Sequence, residues 1–223
     1  MVEASLRSWK WDKAFLGNRK LAIILLGPTG SGKSPLGDYL SNHGLSDQRC
    51  VHFDFGAHLR RIAGKIKKPL FLSVSDFSTV KKVLKTGALL KQKEFSIAGK
   101  ILGAFIRQKR VSHGDLLVLN GLPRHITQAW DLENLLKVTM VINLICDASV
   151  VMSRIRLNTG GDRSERKDDS LLMVRKKLKI YRSLTLPLLD HYRRKRVKVV
   201  NILVTENTSP HDIVNVIKPV NAG

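Results

Sequence analysis

The segment GPTGSGKS, residues 27–34, has the composition and spacing of a loop that binds phosphate groups. It fits the pattern G-x(4)-G-K-[ST], in which glycines let backbone N–H groups turn towards an anion. In that pattern the lysine reaches the outer phosphates of a nucleotide, and the hydroxyl group ligates Mg²⁺. We therefore predict a phosphate-binding loop made of Gly27, Pro28, Thr29, Gly30, Ser31, Gly32, Lys33 and Ser34.

Pro35 follows this loop directly. Proline is tolerated in the first turn of a helix, because the N–H that it lacks has no partner within the helix. In a phosphate-binding loop, however, such unpaired N–H groups are the donors that the ligand uses. We expect Pro35 to remove one donor near the α-phosphate and to weaken nucleotide binding by about 0.5–1.5 kcal/mol.

Apolar segments alternate with helical patterns along the rest of the chain, and they predict the elements that position the loop. Strands are predicted at residues 21–27, 49–55, 116–121, 138–146 and 197–204. Helices are predicted at 33–43, within a helix-rich block at 57–108, at 125–137, at 148–157, from about 170 to 196, and after Pro210. This alternation predicts an α/β fold whose five-stranded parallel sheet is covered on both faces.

The charge balance is strongly basic, since 39 Lys and Arg residues stand against 18 Asp and Glu residues, a formal net charge of +21. Such a field attracts anions, which include nucleotides and nucleic acids, and by itself it identifies no partner. The apolar runs are too short to cross a bilayer, so we expect no membrane association. Two cysteines indicate reduced thiols and a cytoplasmic protein.

The order of motifs between residues 21 and 218 resembles the adenylate kinase and nucleoside monophosphate kinase family. The loop GPTGSGK is similar to the family's GxPGxGK, and FGAHLR (55–60) is similar to TGDLLR. KTGALL (85–90) resembles KGxLV, and LNGLPRHITQ (119–128) resembles DGFPRTxxQ. GDRSERKDD (161–169) looks like a short lid, and VRKKLKIYRSLTLPLLDHY (174–192) resembles the family's long helix, KRLxxYxxxTxPxxxxY.

The resemblance implies a fold of the P-loop NTPase type, a three-layer sandwich, over residues 21–218. A helical insertion at 57–109 would bind the acceptor nucleotide, and residues 158–169 would form a lid. Residues 1–20 would be an N-terminal extension and 219–223 a C-terminal tail. The implied reaction is direct transfer of the γ-phosphate of ATP to a nucleoside monophosphate with Mg²⁺, carried out by a monomer.

Phosphoryl transfer depends mainly on positioning and on positive charge around the transferring group. The resemblance implies that this charge comes from Lys33, Arg60, Arg124, Lys177 and the lid arginines Arg154, Arg163 and Arg166. It also implies an acceptor site formed by Phe55, Gly56, Arg60, Leu89, Leu90, Gly121, Arg124 and Gln128. We add Asp54 to this site because of its place at the end of the second predicted strand, where ligands of such sheets bind. There, Arg60 and Arg124 would grip the acceptor phosphate, and Gln128 would read adenine.

The chain departs from the family pattern near the site. Asn120 stands where the family has an aspartate that orients magnesium-bound water, and Phe55 replaces a threonine at the acceptor base, where its ring could stack. Lys177 replaces an arginine, which keeps the charge and loses the planar fork. Asp54, at the end of the second predicted strand, could supply the missing acidic group beside Ser34 and help to hold Mg²⁺. It could equally cap the helix that follows.

Two other functions are compatible with these residues. One is a kinase of the same fold that phosphorylates a small hydroxyl compound, with Asp54 as the base. The other is a weakly active nucleotide-binding module whose basic surface engages RNA, so that its binding would fall steeply with salt.

Overall fold

The five strands form one parallel sheet in a computed structural model that describes residues 19–162 and 170–217. The strands are β1 Lys20–Leu26, β2 Cys50–Asp54, β3 Leu116–Asn120, β4 Leu136–Ile145 and β5 Lys198–Leu203. Their order across the sheet is β2-β3-β1-β4-β5, and every neighbouring pair is parallel. The predicted α/β fold of the P-loop type with a five-stranded parallel sheet is confirmed.

Helices connect the strands and cover the sheet. They are α1 Lys33–His43, α2 Phe55–Ala63, α3 Val74–Thr86, α4 Phe95–Gln108, α5 Ile126–Glu133, α6 Ala148–Leu157, α7 Leu171–Ile180, α8 Leu188–Arg194 and α9 Pro210–Ile217. A 3₁₀ turn, Gln92–Glu94, precedes α4, and a π turn, Tyr181–Thr185, separates α7 from α8. Among the described residues, every helix is too short or too polar to cross a lipid bilayer.

The central strand β1 is buried on both faces, which explains its uninterrupted apolar sequence. Ala22 and Ile24 pack into one apolar cluster, while Ile23 and Leu25 pack into a second cluster on the opposite face. The carboxyl ends of parallel strands meet at one edge of a sheet, where ligands of such folds bind. Here that edge collects the loop after β1, the end of β2 and the end of β3.

The first apolar cluster continues from the sheet into the helical insertion. Phe53 of β2, Leu59 of α2, Val80 of α3 and Ile101 of α4 all belong to it, and each is at most 8% exposed. The helices α2, α3 and α4, which contain the insertion predicted at 57–109, therefore share a core with the sheet, and the first of them begins at Phe55, before the predicted boundary.

Two predicted boundaries were wrong at the junction of α5 and β4. The helix predicted to reach residue 137 ends at Glu133, and the strand predicted from 138 begins at Leu136. Leu136 is the parallel partner of Lys20, so pairing with β1 draws this segment into the sheet. Leu135 in the turn and Leu136 at the start of β4 are 3% and 1% exposed, so both anchor this junction in the apolar core.

The continuous helix predicted from about 170 to 196 was also wrong, because a π turn and Pro187 divide it. The Leu186 N–H donates to the Tyr181 carbonyl at 2.9 Å, five residues back. Pro187 has no N–H and its ring crowds the carbonyl four residues earlier, which widens the preceding turn. Residues 1–18, 163–169 and 218–223, which include most of the predicted extension, lid and tail, lie outside the described residues.

Candidate active site

The loop after β1 has a backbone that only glycine adopts readily at its start. Gly27 has a φ of 146°, and a Cβ there would lie 2.7 Å from Ser31 Oγ and 2.8 Å from the Leu144 carbonyl oxygen. Contacts below 3 Å would force the backbone apart, so any larger residue would open the loop. The close approach supports the interpretation of residues 27–34 as a cradle for phosphate.

The side chain of Lys33 folds back onto the loop and bonds to its backbone. Its Nζ donates to the Gly27 carbonyl at 2.8 Å and to the Pro28 carbonyl, and it lies 3.4 Å from Ser31 Oγ. Ser31 is fully buried and donates from Oγ to the Pro28 carbonyl at 2.9 Å, which fixes the inner side of the loop. The ammonium group is thereby held at the centre of the bend, where the sequence predicts the phosphates of a nucleotide.

The ends of β2 and β3 bring a carboxylate, an amide and a hydroxyl together. Asp54 and Asn120 are direct partners in the β2–β3 register. The hydroxyl of Ser34 donates to Asp54 Oδ2 at 2.6 Å, and Asn120 Nδ2 donates to the same oxygen at 2.9 Å and to Ser34 Oγ at 3.0 Å. The predicted metal-binding residues Ser34 and Asp54 are therefore in contact.

Asp54 also caps the helix that follows it, through its other oxygen. Oδ1 accepts from the Ala57 N–H at 2.8 Å, and Asp54 is the N-cap of α2. Burial alone would raise the pKa of Asp54. Hydrogen bonds from Ser34 and the Ala57 N–H, together with the nearby His52 and Arg60, nevertheless hold that pKa below its ordinary value. The cap and the acidic role are thus compatible.

Two arginines face the same place from α2 and from the segment after β3. A Cβ built on Gly56 would lie 3.5 Å from Arg60 Nη1, and one built on Gly121 would lie 3.5 Å from Arg124 Nη2 and 3.8 Å from the Gly56 nitrogen. Both guanidinium groups therefore lie beside these adjacent glycines. Lys33, Arg60 and Arg124 line one cleft at the carboxyl edge of the sheet.

Similarity to known proteins indicates the family to which the chain with this cleft belongs. The chain is 30% identical over 197 residues to adenylate kinase 1 of Nostoc sp., a match that covers 86% of this chain and 95% of the relative. It is 30% identical to an adenylate kinase of Treponema denticola, over 80% of this chain and 90% of the relative, and 26% identical to one of Prochlorococcus marinus, over 80% and 87%. No protein-family model matches the chain.

The chain belongs to the adenylate kinase family. It is accordingly an enzyme, an ATP-dependent nucleoside monophosphate kinase, and the family uses Mg²⁺ with ATP. The two alternative functions, a kinase of a small hydroxyl compound and an RNA-engaging module, are not favoured by these relatives.

Most of the residues predicted for this kinase's site line the cleft. They are Gly27, Thr29, Gly30, Gly32, Lys33, Ser34, Asp54, Phe55, Gly56, Arg60, Leu89, Leu90, Gly121, Arg124, Gln128, Arg154 and Lys177. The loop residues Pro28 and Ser31 are buried and do not belong to the lining of the cleft. Arg163 and Arg166, the predicted lid arginines, lie outside the described residues.

Arg154 lies in the kinase on α6, outside the predicted lid, and is 5% exposed. Its Nη1 donates to the carbonyls of Thr205, Glu206 and Thr208, and its Nε donates to the Gly30 carbonyl at 3.3 Å. The side chain ties the phosphate-binding loop to the segment after β5. Arg154 therefore lines the cleft and also holds the phosphate-binding loop in place through its hydrogen bonds.

Pro35 occupies the first turn of α1 in the kinase, as predicted. Helical hydrogen bonding of α1 is in place at the next residue, where the Leu36 N–H donates to the carbonyl of the N-cap Gly32 at 3.0 Å. Pro35 stands one residue earlier, in the first turn, where an N–H has no partner within the helix, so its missing N–H costs α1 no hydrogen bond. A Cβ on Gly160 would lie 2.7 Å from Pro35 Cγ, so the proline ring lies close to Gly160, which belongs to the predicted lid.

The cleft is also lined by Phe55 and Gln128, for which the sequence suggested contact with the acceptor base. Phe55 is 5% exposed and its ring centre lies 6.2 Å from that of Phe53, so most of the ring belongs to the core. Gln128 is 2% exposed, and its Oε1 accepts from the Arg124 N–H at 2.8 Å. Its Nε2 points to the Leu90 carbonyl at a long 3.4 Å.

Two further residues of the cleft, Tyr181 and Thr185, belong to the segment 174–192 that resembles the family's long helix. Tyr181 Oη lies 3.4 Å from Asn143 Oδ1 at the end of β4, and the Thr185 hydroxyl donates to the Arg124 carbonyl at 2.9 Å. The π turn that presents them could not be found from residue types, because its width depends on backbone geometry.

Proposed function

We propose that this kinase transfers the γ-phosphate of ATP to AMP, the reaction for which its relatives are named. The observation that carries the proposal is the convergence of Lys33, Arg60 and Arg124 on one cleft beside a glycine cradle. Phosphoryl transfer needs positioned positive charge around the transferring group and little covalent chemistry from the protein. This cleft supplies that arrangement.

On the donor side, residues 27–34 would bind the phosphates of ATP, and Lys33 would contact the outer ones. Mg²⁺ prefers oxygen ligands, and Ser34 Oγ with Asp54 Oδ2 forms a contacting oxygen pair, so these residues fit the ion. Asn120 would hold both oxygens in place through its amide group. When bound, Mg²⁺ neutralises charge on the β- and γ-phosphates.

On the acceptor side, Arg60 and Arg124 would bind the phosphate of the monophosphate. A guanidinium group suits this task because its planar fork matches two phosphate oxygens at once. Lys177 faces the same cleft. The predicted lid arginines, Arg163 and Arg166, would add charge when lid and acceptor insertion close to exclude water.

The orientation of Gln128 supports adenine as the base. Oε1 accepts from the Arg124 N–H at 2.8 Å, and Nε2 makes a long contact of 3.4 Å with the Leu90 carbonyl, so the Nε2 donor is the group that we expect to meet a ligand. Adenine N1 and cytosine N3 accept such a hydrogen bond, whereas guanine N1 and uracil N3 carry hydrogens. We therefore expect this position to select AMP, and to a lesser degree CMP, over GMP and UMP.

A screen of the four monophosphates with ATP and Mg²⁺ tests the proposal, with diphosphate formation followed by chromatography. We expect turnover with AMP, less with CMP, and at least about 100-fold lower kcat/KM with GMP and UMP, since an unpaired buried polar group is costly. Arg60→Ala and Arg124→Ala should each raise the KM for AMP. Arg107→Ala, which removes an exposed arginine of α4, is the control. Absence of transfer to any monophosphate would refute the proposal.

A further inference from the structure

The backbone on both sides of Arg124 is held by side chains. Its N–H donates to Gln128 Oε1 at 2.8 Å, and its carbonyl accepts from the Thr185 hydroxyl at 2.9 Å. The guanidinium group is tied as well, since Nε donates to the Gly121 carbonyl at 3.1 Å. Both side chains that hold the backbone are buried, with Gln128 at 2% and Thr185 at 8% exposure.

Thr185 comes from a distant part of the chain, 61 residues after Arg124. It reaches the site because it closes the π turn between α7 and α8. A π turn has five-residue spacing, so it shifts the residues at its end around the helix axis relative to a regular helix. The turn also begins with Tyr181, and both residues face the cleft.

We propose that Thr185 is a positioning residue for the acceptor phosphate, acting through the backbone of Arg124. The inference rests on the proposed function, in which Arg124 binds that phosphate. The Thr185 hydroxyl fixes the carbonyl of Arg124, the Gln128 amide fixes its N–H, and together they limit rotation of the backbone from which the guanidinium group extends. Preorganisation of this kind raises affinity by lowering the ordering cost of binding.

The effect is confined to the acceptor side of the reaction. Thr185 contacts Arg124, whereas the described side-chain hydrogen bonds of Lys33, Ser34 and Asp54 run to the loop, to Asn120 and to α2. Loss of the hydroxyl should therefore raise the KM for the monophosphate and leave the KM for ATP unchanged. A threonine with a merely structural role would instead lower the melting temperature without separating the two KM values.

Thr185→Val removes the hydroxyl while keeping the shape of the side chain, and Thr185→Ser restores the hydroxyl. We expect Thr185→Val to raise the KM for AMP about three- to tenfold, as for the loss of one hydrogen bond, with the KM for ATP within twofold of wild type. Thr185→Ser should stay close to wild type. Ser183→Ala is the matched control, because the Ser183 hydroxyl lies in the same turn and bonds to Lys179 and Ile180 carbonyls.

The double variant Arg124→Ala/Thr185→Val separates this inference from the proposed function. If Thr185 acts through Arg124, Thr185→Val adds little to the KM for AMP once Arg124 is alanine. If Arg124→Ala raises that KM but Thr185→Val does not, the inference is wrong and the proposed function stands. If Arg124→Ala itself leaves the KM unchanged, the assigned role of Arg124 fails. Thr185→Ala gives the same comparison should the valine variant fold poorly.

Discussion

Asp54 has two carboxylate oxygens that make separate contacts. Oδ1 caps α2 through the Ala57 N–H, and Oδ2 meets Ser34 and Asn120 at the mouth of the phosphate-binding loop. The carboxylate thus stands on β2, one strand away from the position on β3 where Asn120 brings no charge. Substitutions can separate the two contacts, because asparagine is nearly as good a helix cap as aspartate.

Asp54→Asn keeps the cap and removes the charge. We expect the melting temperature to stay near that of wild type, while the Mg²⁺ concentration needed for tight ATP binding rises about 10- to 100-fold. Titration calorimetry of ATP at several Mg²⁺ concentrations measures this directly, without turnover. Asp54→Asn/Asn120→Asp returns a carboxylate on the neighbouring strand and should recover most of the loss. An unchanged Mg²⁺ dependence in Asp54→Asn would leave Asp54 with the cap alone.

At the scale of elements, the start of α3 is fixed by a reciprocal cap. Ser73 Oγ accepts from the Asp76 N–H at 3.0 Å, and Asp76 Oδ2 accepts from the Ser73 N–H at 2.9 Å. Lys100 of α4 donates to the same carboxylate at 2.7 Å. The cap therefore links α3 to α4 through one carboxylate.

Ser73→Ala should lower the free energy of unfolding by about 1 kcal/mol, the usual value of a lost N-cap. Urea unfolding followed by circular dichroism measures it. Ser78→Ala, an exposed substitution inside the same helix, is the control and should be neutral or slightly stabilising. Equal stability of the two variants would contradict the role of the cap.

The acid dependence of this cap follows from the pKa of Asp76. Burial alone would raise that pKa, but hydrogen bonds from Lys100 and Ser73 hold it below its ordinary value. The folded protein therefore favours the ionised carboxylate of Asp76. The contribution of this carboxylate to the free energy of unfolding is fully present above the ordinary pKa of aspartate, and it is lost as the pH falls through the lowered pKa of Asp76.

The extent to which the elements could be predicted follows from the range of the forces that form them. β1 and the loop after it were predicted because an apolar run followed by spaced glycines determines its own structure locally. The early start of β4 and the π turn were missed, since the first depends on pairing with β1 and the second on a proline that breaks one long helical pattern.

The candidate site was predictable where a motif kept its spacing, as for Lys33, Arg60 and Arg124. From the sequence, the helix cap and the acidic role of Asp54 were alternatives, because residue spacing does not show that each carboxylate oxygen has its own partner. The backbone role of Thr185 depends on a contact across 61 residues, which residue types alone do not reveal.

At the scale of the whole molecule, the formal net charge is +21, and the ligands proposed for the cleft are anions. Such a field speeds the capture of charged ligands, and salt weakens it. Nucleic acid as a second partner, the monomeric state and the cytoplasmic location stay predictions.

We expect the association rate constant of ATP to fall about tenfold as ionic strength rises from about 10 mM to about 150 mM. Stopped-flow fluorescence with a labelled ATP analogue measures it at several KCl concentrations. Sucrose at matched osmolality is the control for effects other than screening. A rate constant that does not change with salt would show that the charge of the whole molecule plays no part in nucleotide capture.

The apolar cluster that runs from β2 through α2, α3 and α4 has a consequence for exchange of parts between relatives. If the segment α2–α4 were replaced by that of another kinase, the new side chains would pack against Phe53 of β2, and their volumes would not match the space that Phe53 leaves. Overfilled or empty volume in a packed interior is destabilising. We therefore expect chimaeras of this enzyme to be stable when β2 is exchanged together with α2, α3 and α4.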